Sequence, residues 1–475
     1  MTWSRVLVQL CGLAILIIAA RVLRQEEIGT FTLMSSAVVL ALRLSEAGWA
    51  ELAIATPQQT SPSATIFWCA VTFGAGMSVT LLIIGLMLQL VWSNQTGVWT
   101  VYYALIPTIL PNSIATCQFG ILVRDGRLTA LAVTQAIAEI LGTTVGVFFL
   151  FTGAGLLSLV YARLVTALTT VVIAVALVKW VPKPNFDRGK VIEAFRYASS
   201  LIGARVVGFI NGYGAEFLIG AFLGLREVGQ YRVASRIAGA VAEVIYEPLR
   251  VVAWRTIAAA GQRADREREV ALCLESTITV GSFIYIPLFL GLSFVAPDLL
   301  AVVLGRGEWL AAAPIVSILA IAKLFGVLFL YTESTLTVMH KHHWIPRLAL
   351  SSAFLSLGCT SITGVFFPST VAIAWAQIVA SGLIGMSVAL ALRRFVPWRM
   401  RAVLTSVARA AIGGLAMLSI LWVAKTGLNA SGISAEPVRL LVYVICGAGS
   451  FVAVMGKEPW IHLRQLVASH RHANR

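Results

Sequence analysis

Apolar residues in this chain come in runs of twenty or more, separated by short polar segments. Runs of that length cross the hydrocarbon core of a bilayer as α-helices. The pattern predicts about fourteen spans, near residues 4–23, 30–54, 64–92, 100–122, 128–151, 155–178, 201–222, 229–252, 272–296, 313–337, 347–367, 370–392, 402–424 and 437–455. The second run is the weakest on hydropathy, because it contains Arg43, Glu46 and Glu51. Pro107 and Pro111 in the fourth run, and Pro287 in the ninth, are expected to kink or interrupt their helices.

A short polar stretch then recurs. "VLRQEEIGTFTLMS" (22–35) aligns without a gap on "FLGLREVGQYRVAS" (222–235), with Leu23, Glu27, Gly29 and Ser35 meeting Leu223, Glu227, Gly229 and Ser235. Extending the register to residues 1–40 adds Arg5/Arg205, Val6/Val206 and Gly12/Gly212. Six spans precede the polar linker "KWVPKPNFDRGKVIEAFRYASS" (179–200). Six is even, so the seventh span starts on the same side as the first, and the halves are parallel repeats about an axis normal to the membrane. The linker has two prolines and then a short basic amphipathic stretch suited to a membrane surface. The expected organisation is a first six-helix lobe (1–178), a cytoplasmic linker (179–200), a second six-helix lobe (201–392), and two further helices with a cytoplasmic tail (393–475). The first twenty residues, with Arg5 and Ala19-Ala20, have the outline of a signal peptide. The repeat assigns them instead to the first span.

Composition agrees with a polytopic membrane protein: 59% of residues are hydrophobic and 12% charged, against about a quarter charged in a soluble domain. The net charge of +15 would suggest nucleic acid in a soluble chain. Its distribution gives another reading. With the N-terminus inside, 22 of the 36 Lys and Arg lie in inner segments and 6 in outer ones, namely Arg21, Arg24, Arg226, Arg306, Lys425 and Arg439. This bias places both termini in the cytoplasm and accounts for most of the charge without nucleic acid. Trp92, Trp99, Trp180, Trp254, Trp309, Trp344, Trp398 and Trp460 cluster at predicted span ends, as interfacial aromatics do. The six cysteines all lie in apolar runs with no CxxC spacing and read as small hydrophobes, not as a disulfide or zinc framework. All six histidines fall on the inner side. "HKHHW" (340–344) has metal-ligand residue types, although a solvated loop accounts for it as well.

Ionisable groups inside spans are costly and mark cavities or mutual pairing. The bases among them are Arg43, Arg163, Arg205, Arg232, Arg236, Arg250, Lys323 and Arg409; the acids are Glu46, Glu139, Glu216, Glu243, Glu247 and Glu333. On the eighth span Arg232, Arg236, Glu243, Glu247 and Arg250 share a stripe about 60° wide at 100° per residue. Either a wet cleft or a salt-bridge ladder on a neighbouring helix satisfies such a stripe. On the seventh span, Gly208/Gly212 and Gly220/Gly224 have the spacing of close helix packing.

Several activities lack their signatures. There is no GxxxxGK[ST] for ATP. Asp occurs only at 125, 187, 265 and 298, so no DxD-type metal–nucleotide-sugar site is present. No long outer loop carries a Ser/His/Asp cluster. No enzyme and no cofactor are expected.

The segment "AARVLRQEEIGTFTLMSSAVVLALRLSEAGWAELAI" (19–54) resembles the opening of the Wzx-type oligosaccharide flippases of polysaccharide biosynthesis, in the multidrug/oligosaccharidyl-lipid/polysaccharide exporter superfamily. Their first turn commonly reads ARxLGxxxxGxxxL, followed by a D/E-x-G element. Here Ala20-Arg21, Leu23, Gly29 and Glu46-Ala47-Gly48 fill those places. "FLIGAFLGLREVGQYRVASRI" (217–237) resembles the second turn through Ile219-Gly220, Leu223-Gly224, Val228-Gly229, Tyr231 and Ala234. Arg24 departs from the usual Gly, and Glu216 stands where Asp is common. The resemblance covers roughly residues 5–400. It implies an all-α fold of two six-helix lobes in a V around a cationic cleft, with two helices appended. It also implies a polyprenyl-pyrophosphate-linked oligosaccharide turned from the inner to the outer leaflet of the bacterial cytoplasmic membrane by alternating access. Candidate partners are the bilayer, a polysaccharide polymerase and export proteins.

A pyrophosphate head needs cationic partners in a wet cleft, and Arg43, Arg205, Arg232, Arg236 and Lys323 are the candidates. Glu46, Glu139, Glu216, Glu243, Glu247 and Glu333 are candidate cleft or coupling acids, and Gly29 and Gly229 candidate hinges. Two other readings stay open: a cation-coupled small-molecule exporter of the same fold, which an acidic cleft would favour, and a membrane-embedded glycosyltransferase or polymerase, which an outer catalytic carboxylate would favour.

Overall fold

The computed structural model describes residues 2–46, 48–57, 63–91, 96–305, 307–431 and 435–456. Trp92, Arg306 and the tail from Lys457, with Trp460, His462, His470 and His472, lie outside the described residues. Among the described residues the secondary structure is helical throughout, with no strand. The helices are α1 (Thr2–Val22), α2 (Gln25–Ser45), α3 (Trp49–Ala55), α4 (Ala64–Val91), α5 (Thr96–Leu105), α6 (Ile109–Arg124), α7 (Leu128–Phe151), α8 (Leu157–Val178), α9 (Arg188–Phe222), α10 (Leu225–Ala260), α11 (Arg266–Leu304), α12 (Ala313–Lys323), α13 (Val327–Val338), α14 (Trp344–Phe366), α15 (Thr370–Phe395), α16 (Met400–Ala430) and α17 (Glu436–Met455). Counting α2–α3, α5–α6 and α12–α13 as interrupted spans gives fourteen rods. Twelve of them are long and apolar enough to cross a membrane. The other two are α9 and α10, whose charges lower their hydropathy.

The interruptions have local causes. Between α2 and α3 the chain turns at Gly48, whose φ of 88° lies in the left-handed region that favours glycine. A Cβ there would stand 3.1 Å from the Ala198 backbone. Pro107 lies in the 3-10 turn Ile106–Thr108 that separates α5 from α6, because proline cannot donate the helical hydrogen bond. The turn Leu324–Gly326 separates α12 from α13 directly after Lys323. Pro287 and Pro297 leave α11 unbroken, as Pro248 leaves α10.

The chain divides into two compact units, Met1–Arg232 and Val233–Arg475. The division falls inside α10, whereas the sequence placed its boundary in the 179–200 linker. The reason lies in α9, which begins at Arg188 and not near 201, and packs on α2 and α4 of the first unit. The linker is docked as well. The Gln118 side-chain amide donates to the Trp180 carbonyl (2.9 Å), and the Trp68 indole N–H donates to the Pro182 carbonyl (3.0 Å). Trp49, Phe67, Cys69, Cys117, Ala194 and Ala198 form the core beneath it.

In the second unit α17 packs on α11 and α16 around Phe283, Met417, Tyr443 and Phe451. Arg439 of α17 lies 3.4 Å from the buried Asp298 carboxylate of α11 and donates to the Tyr443 hydroxyl. Removing one partner of a buried ion pair leaves a charge uncompensated, at a cost of about 3–5 kcal/mol. Arg439→Met is therefore expected to lower the melting temperature in detergent, and Arg439→Met with Asp298→Asn to recover it. Equal melting of the wild type and the single variant would refute the account.

Candidate functional site

The first unit gathers its intramembrane charges along α2, α3, α9 and the start of α10. At the α2–α3 break, Arg43 Nη1 lies 3.5 Å from Glu46 Oε2, and Arg205 Nη2 of α9 donates to Glu51 Oε1 at 3.0 Å. Glu46 stands near enough to Arg43, Arg205 and Glu51 for their charges to act on it. These are four charged groups from three helices at one break in the helical backbone. Glu51 was noted in the sequence only as a drag on hydropathy; its partner is 154 residues away, beyond any local pattern.

Further along α9, Glu216 is buried and accepts a hydrogen bond from Arg232 of α10 at 2.9 Å. The Arg232 guanidinium also lies 5.2 Å from the centroid of the Tyr213 ring. Among the described residues Glu216 Oε2 is buried without a hydrogen-bond partner. Between these two pairs, Arg205, Gly208, Gly212 and Glu216 share a face of α9 about 80° wide at 100° per residue. Among the described residues nothing lies within 4 Å of a Cβ placed at Gly208 or Gly212. The spacing suggests helix packing there, but among the described residues the α9 backbone is uncovered at these two glycines. Gly220 alone of that series packs tightly, against Leu33 of α2.

The two turns in repeat register also meet. The breaks at Leu23–Arg24 and Leu223–Gly224 recur at the offset of 200, and Gly29 and Gly229 are each the fifth residue of their helix. A Cβ at Gly29 would overlap the Leu225 carbonyl oxygen; one at Gly229 would overlap the Gln25 carbonyl oxygen. The contact is reciprocal: residue 29 meets 225, and 229 meets 25. The buried Gln25 side chain accepts from Arg226 Nε (3.0 Å) and from Gln230 Nε2 (2.8 Å). Gly224 has φ of 105°, which requires glycine, whereas Arg24 is extended (φ −75°) and its N–H donates to Glu27. This difference is why arginine is accepted at the first turn.

Glu139 sits apart. It lies 3.9 Å from Arg163 of α8 and near Cys11 of α1, within the α1–α7–α8 packing. In the second unit Lys323, at the α12–α13 break, faces Glu243 of α10 closely enough for their charges to interact. Among the described residues Glu243 Oε2 is buried and without a hydrogen-bond partner. Arg250 donates to Glu247 at 3.1 Å, and Tyr246 stands near both and near Glu333 of α13. Arg236 is half-buried on α10. The α10 stripe is thus served by different partners along its length: Glu216 for Arg232, Lys323 for Glu243, and the helix itself for Glu247 and Arg250.

Four of the five candidate bases (Arg43, Arg205, Arg232 and Lys323) stand beside a carboxylate. Of the two arrangements open from the sequence, mutual pairing is the one seen at these four. An anionic headgroup would have to compete with a glutamate for each.

Comparison with known proteins bears on what this arrangement serves. The model of the family described as "Polysaccharide biosynthesis protein" matches residues 18–314. The succinoglycan biosynthesis transport protein ExoT of Rhizobium meliloti (strain 1021) is 26% identical over 311 residues, 64% of this chain and 61% of that protein. The probable low-salt glycan biosynthesis flippase Agl15 of Haloferax volcanii is 24% identical over 306 residues, 62% of this chain and 58% of that protein. The chain thus spans less than two thirds of the length of either relative. Among solved structures, lipid II flippase MurJ in an inward closed conformation matches with a TM-score of 0.75 at 13% identity, covering 98% of both chains. An inward-facing multidrug resistance MATE family transporter of the MOP superfamily matches with a TM-score of 0.65 at 14% identity, covering 82% of this chain and 95% of that one. At such identities the structural likeness concerns the fold alone.

Proposed function

Since the chain belongs to the polysaccharide biosynthesis protein family, we propose that it is a flippase for a polyprenyl-pyrophosphate-linked oligosaccharide. It carries this lipid from the inner to the outer leaflet of the cytoplasmic membrane, both termini lying in the cytoplasm, and feeds surface or exopolysaccharide synthesis. A polymerase and export proteins act on the product. The transport names of its relatives favour this class. The observation that carries the substrate chemistry is the row of arginine–glutamate pairs on α2, α9 and α10 beside the bare glycine face of α9. A pyrophosphate offers guanidinium groups the same bidentate, charge-assisted geometry as a carboxylate. It exchanges with the glutamates, and the pairs re-form when it leaves. The polyprenyl tail stays in hydrocarbon while the six-span halves, 1–178 and 201–392, rock about the turns at Gly29 and Gly229.

A cation-coupled small-molecule exporter is the second reading. It is favoured by the buried carboxylate oxygens of Glu216 and Glu243 that lack hydrogen-bond donors. Deleting the gene and analysing lipid-linked intermediates separates the two. Oligosaccharide-lipid accumulating in the inner leaflet supports the flippase, and unchanged polysaccharide with lost export of a small molecule supports the exporter. Within the flippase reading, Arg236→Ala is expected to abolish surface polysaccharide while folded protein persists at normal levels. Wild-type polysaccharide in that variant would remove Arg236 from substrate binding.

A further inference from the structure

Two short segments of the second unit carry an unusual load of positive charge. Residues 339–347, "MHKHHWIPR", join α13 to α14, and residues 393–401, "RRFVPWRMR", run from the end of α15 into α16. Together they hold Lys341, Arg347, Arg393, Arg394, Arg399 and Arg401, with His340, His342 and His343, and no Asp or Glu.

Aromatic rings fasten the two segments together. The Trp344 and Phe395 ring centroids are 5.4 Å apart. The guanidinium carbons of Arg347 and Arg394 lie 5.2 and 5.8 Å from the Trp344 centroid, and Lys341 Nζ lies 5.7 Å from that of Phe395. Cation–π attraction thus holds three bases down on an apolar floor, and that floor is continuous with the core of the unit. The helices α14 and α16 both start here, and neither has a side-chain cap bond at its N-cap, His343 or Arg399. The Trp344 and Ile345 N–H groups bond the Lys341 and His342 carbonyls, and Met400 N–H bonds that of Trp398, so the positive field comes from the side chains. A carboxylate does reach the patch: Glu275 accepts from the Arg399 backbone N–H. The indole N–H of the buried Trp398, in the same packed layer, has no acceptor among the described residues.

The histidines alone would suggest a metal. Six fixed positive charges around them repel a cation, and among the described residues no group of three His, Cys, Asp or Glu is placed to hold one. The field favours an anion. Its depth identifies which kind, because four membrane-length helical segments end or begin at this patch, at Val338, Trp344, Phe395 and Met400. Tryptophan at span ends and clustered bases beside them lie at the level of lipid headgroups.

We propose that this patch is a binding site for the acidic phosphodiester headgroup of an anionic phospholipid. The Trp344–Phe395 floor meets the glycerol and upper acyl chain, and Arg347, Arg394 and Lys341 meet the phosphate. The site is independent of the transport substrate and of the arginine–glutamate pairs in the first unit.

The test is phosphatidylglycerol titrated into the purified full-length protein in detergent, with lipid adducts counted by native mass spectrometry. Arg347→Gln with Arg394→Gln is expected to weaken phosphatidylglycerol binding about thirtyfold. Lys183→Gln with Lys190→Gln, which removes the same charge from the linker, is expected to leave it unchanged. Equal losses in both pairs, no loss in the first, or displacement of the lipid by equimolar inorganic phosphate would overturn the proposal. If the first pair lowers the melting temperature, Lys341→Gln with Arg394→Gln, which leaves Arg347 on the Trp344 ring, carries the same expectation and the same refutation.

Discussion

Gly29→Leu is expected to stop export while leaving a folded protein in the membrane. The side chain would have to occupy the space of the Leu225 carbonyl oxygen. A backbone carbonyl in the first turn of a helix cannot rotate aside, so the start of α10 must move away from α2. Overpacking of this kind costs about 1–3 kcal/mol. That is enough to shift a two-state equilibrium by about fivefold to 150-fold. Gly229→Leu meets the Gln25 carbonyl in the same way and is expected to act alike. The check is surface polysaccharide per unit of membrane-inserted protein, together with cysteine labelling at Gln25→Cys. Export should fall and labelling should rise as the contact opens. Normal export from Gly29→Leu would mean that the reciprocal contact takes no part in transport.

The second large effect concerns Arg232. Arg232→Met leaves Glu216 buried with one carboxylate oxygen already short of a partner, and loss of about 3–5 kcal/mol is expected. Arg232→Met with Glu216→Gln removes both charges and is expected to recover the melting temperature. Transport distinguishes the roles. If Arg232 meets the pyrophosphate, the double variant folds and does not export. If the pair only ties α9 to α10, the double variant exports like the wild type, and Arg232 leaves the list of substrate ligands.

Much of the architecture could be read in advance, and the reasons are specific. Hydropathy located the rods because bilayer thickness sets their length, and most observed ends lie within a few residues of the expected ones. It failed for α9, whose first turns are polar. Charge lowers hydropathy there but does not end a helix, and Asp187 caps it by accepting from the Gly189 N–H. The break before α3 is marked by Gly48, a residue whose backbone angle explains its identity. The candidate bases were found because charge in an apolar run is conspicuous. Glu46, Glu216 and Glu243 stood out for the same reason, but Glu51 did not, since Arg205 meets it through tertiary packing that no local period records. The stripe on α10 was correct as geometry, but the sequence could not show that its members answer to different neighbours.

The unbroken course of α9 has a mechanical consequence. Its 35 residues make a rod of about 52 Å at 1.5 Å per residue, well beyond the roughly 30 Å of hydrocarbon. One tip is gripped by the aromatic clamp of Trp49 and Phe195, and the other ends at the left-handed Gly224. Such a rod transmits torque. A soluble effector or a modifying enzyme with access only to the first turns of α9 would hold a lever on the far side of the membrane.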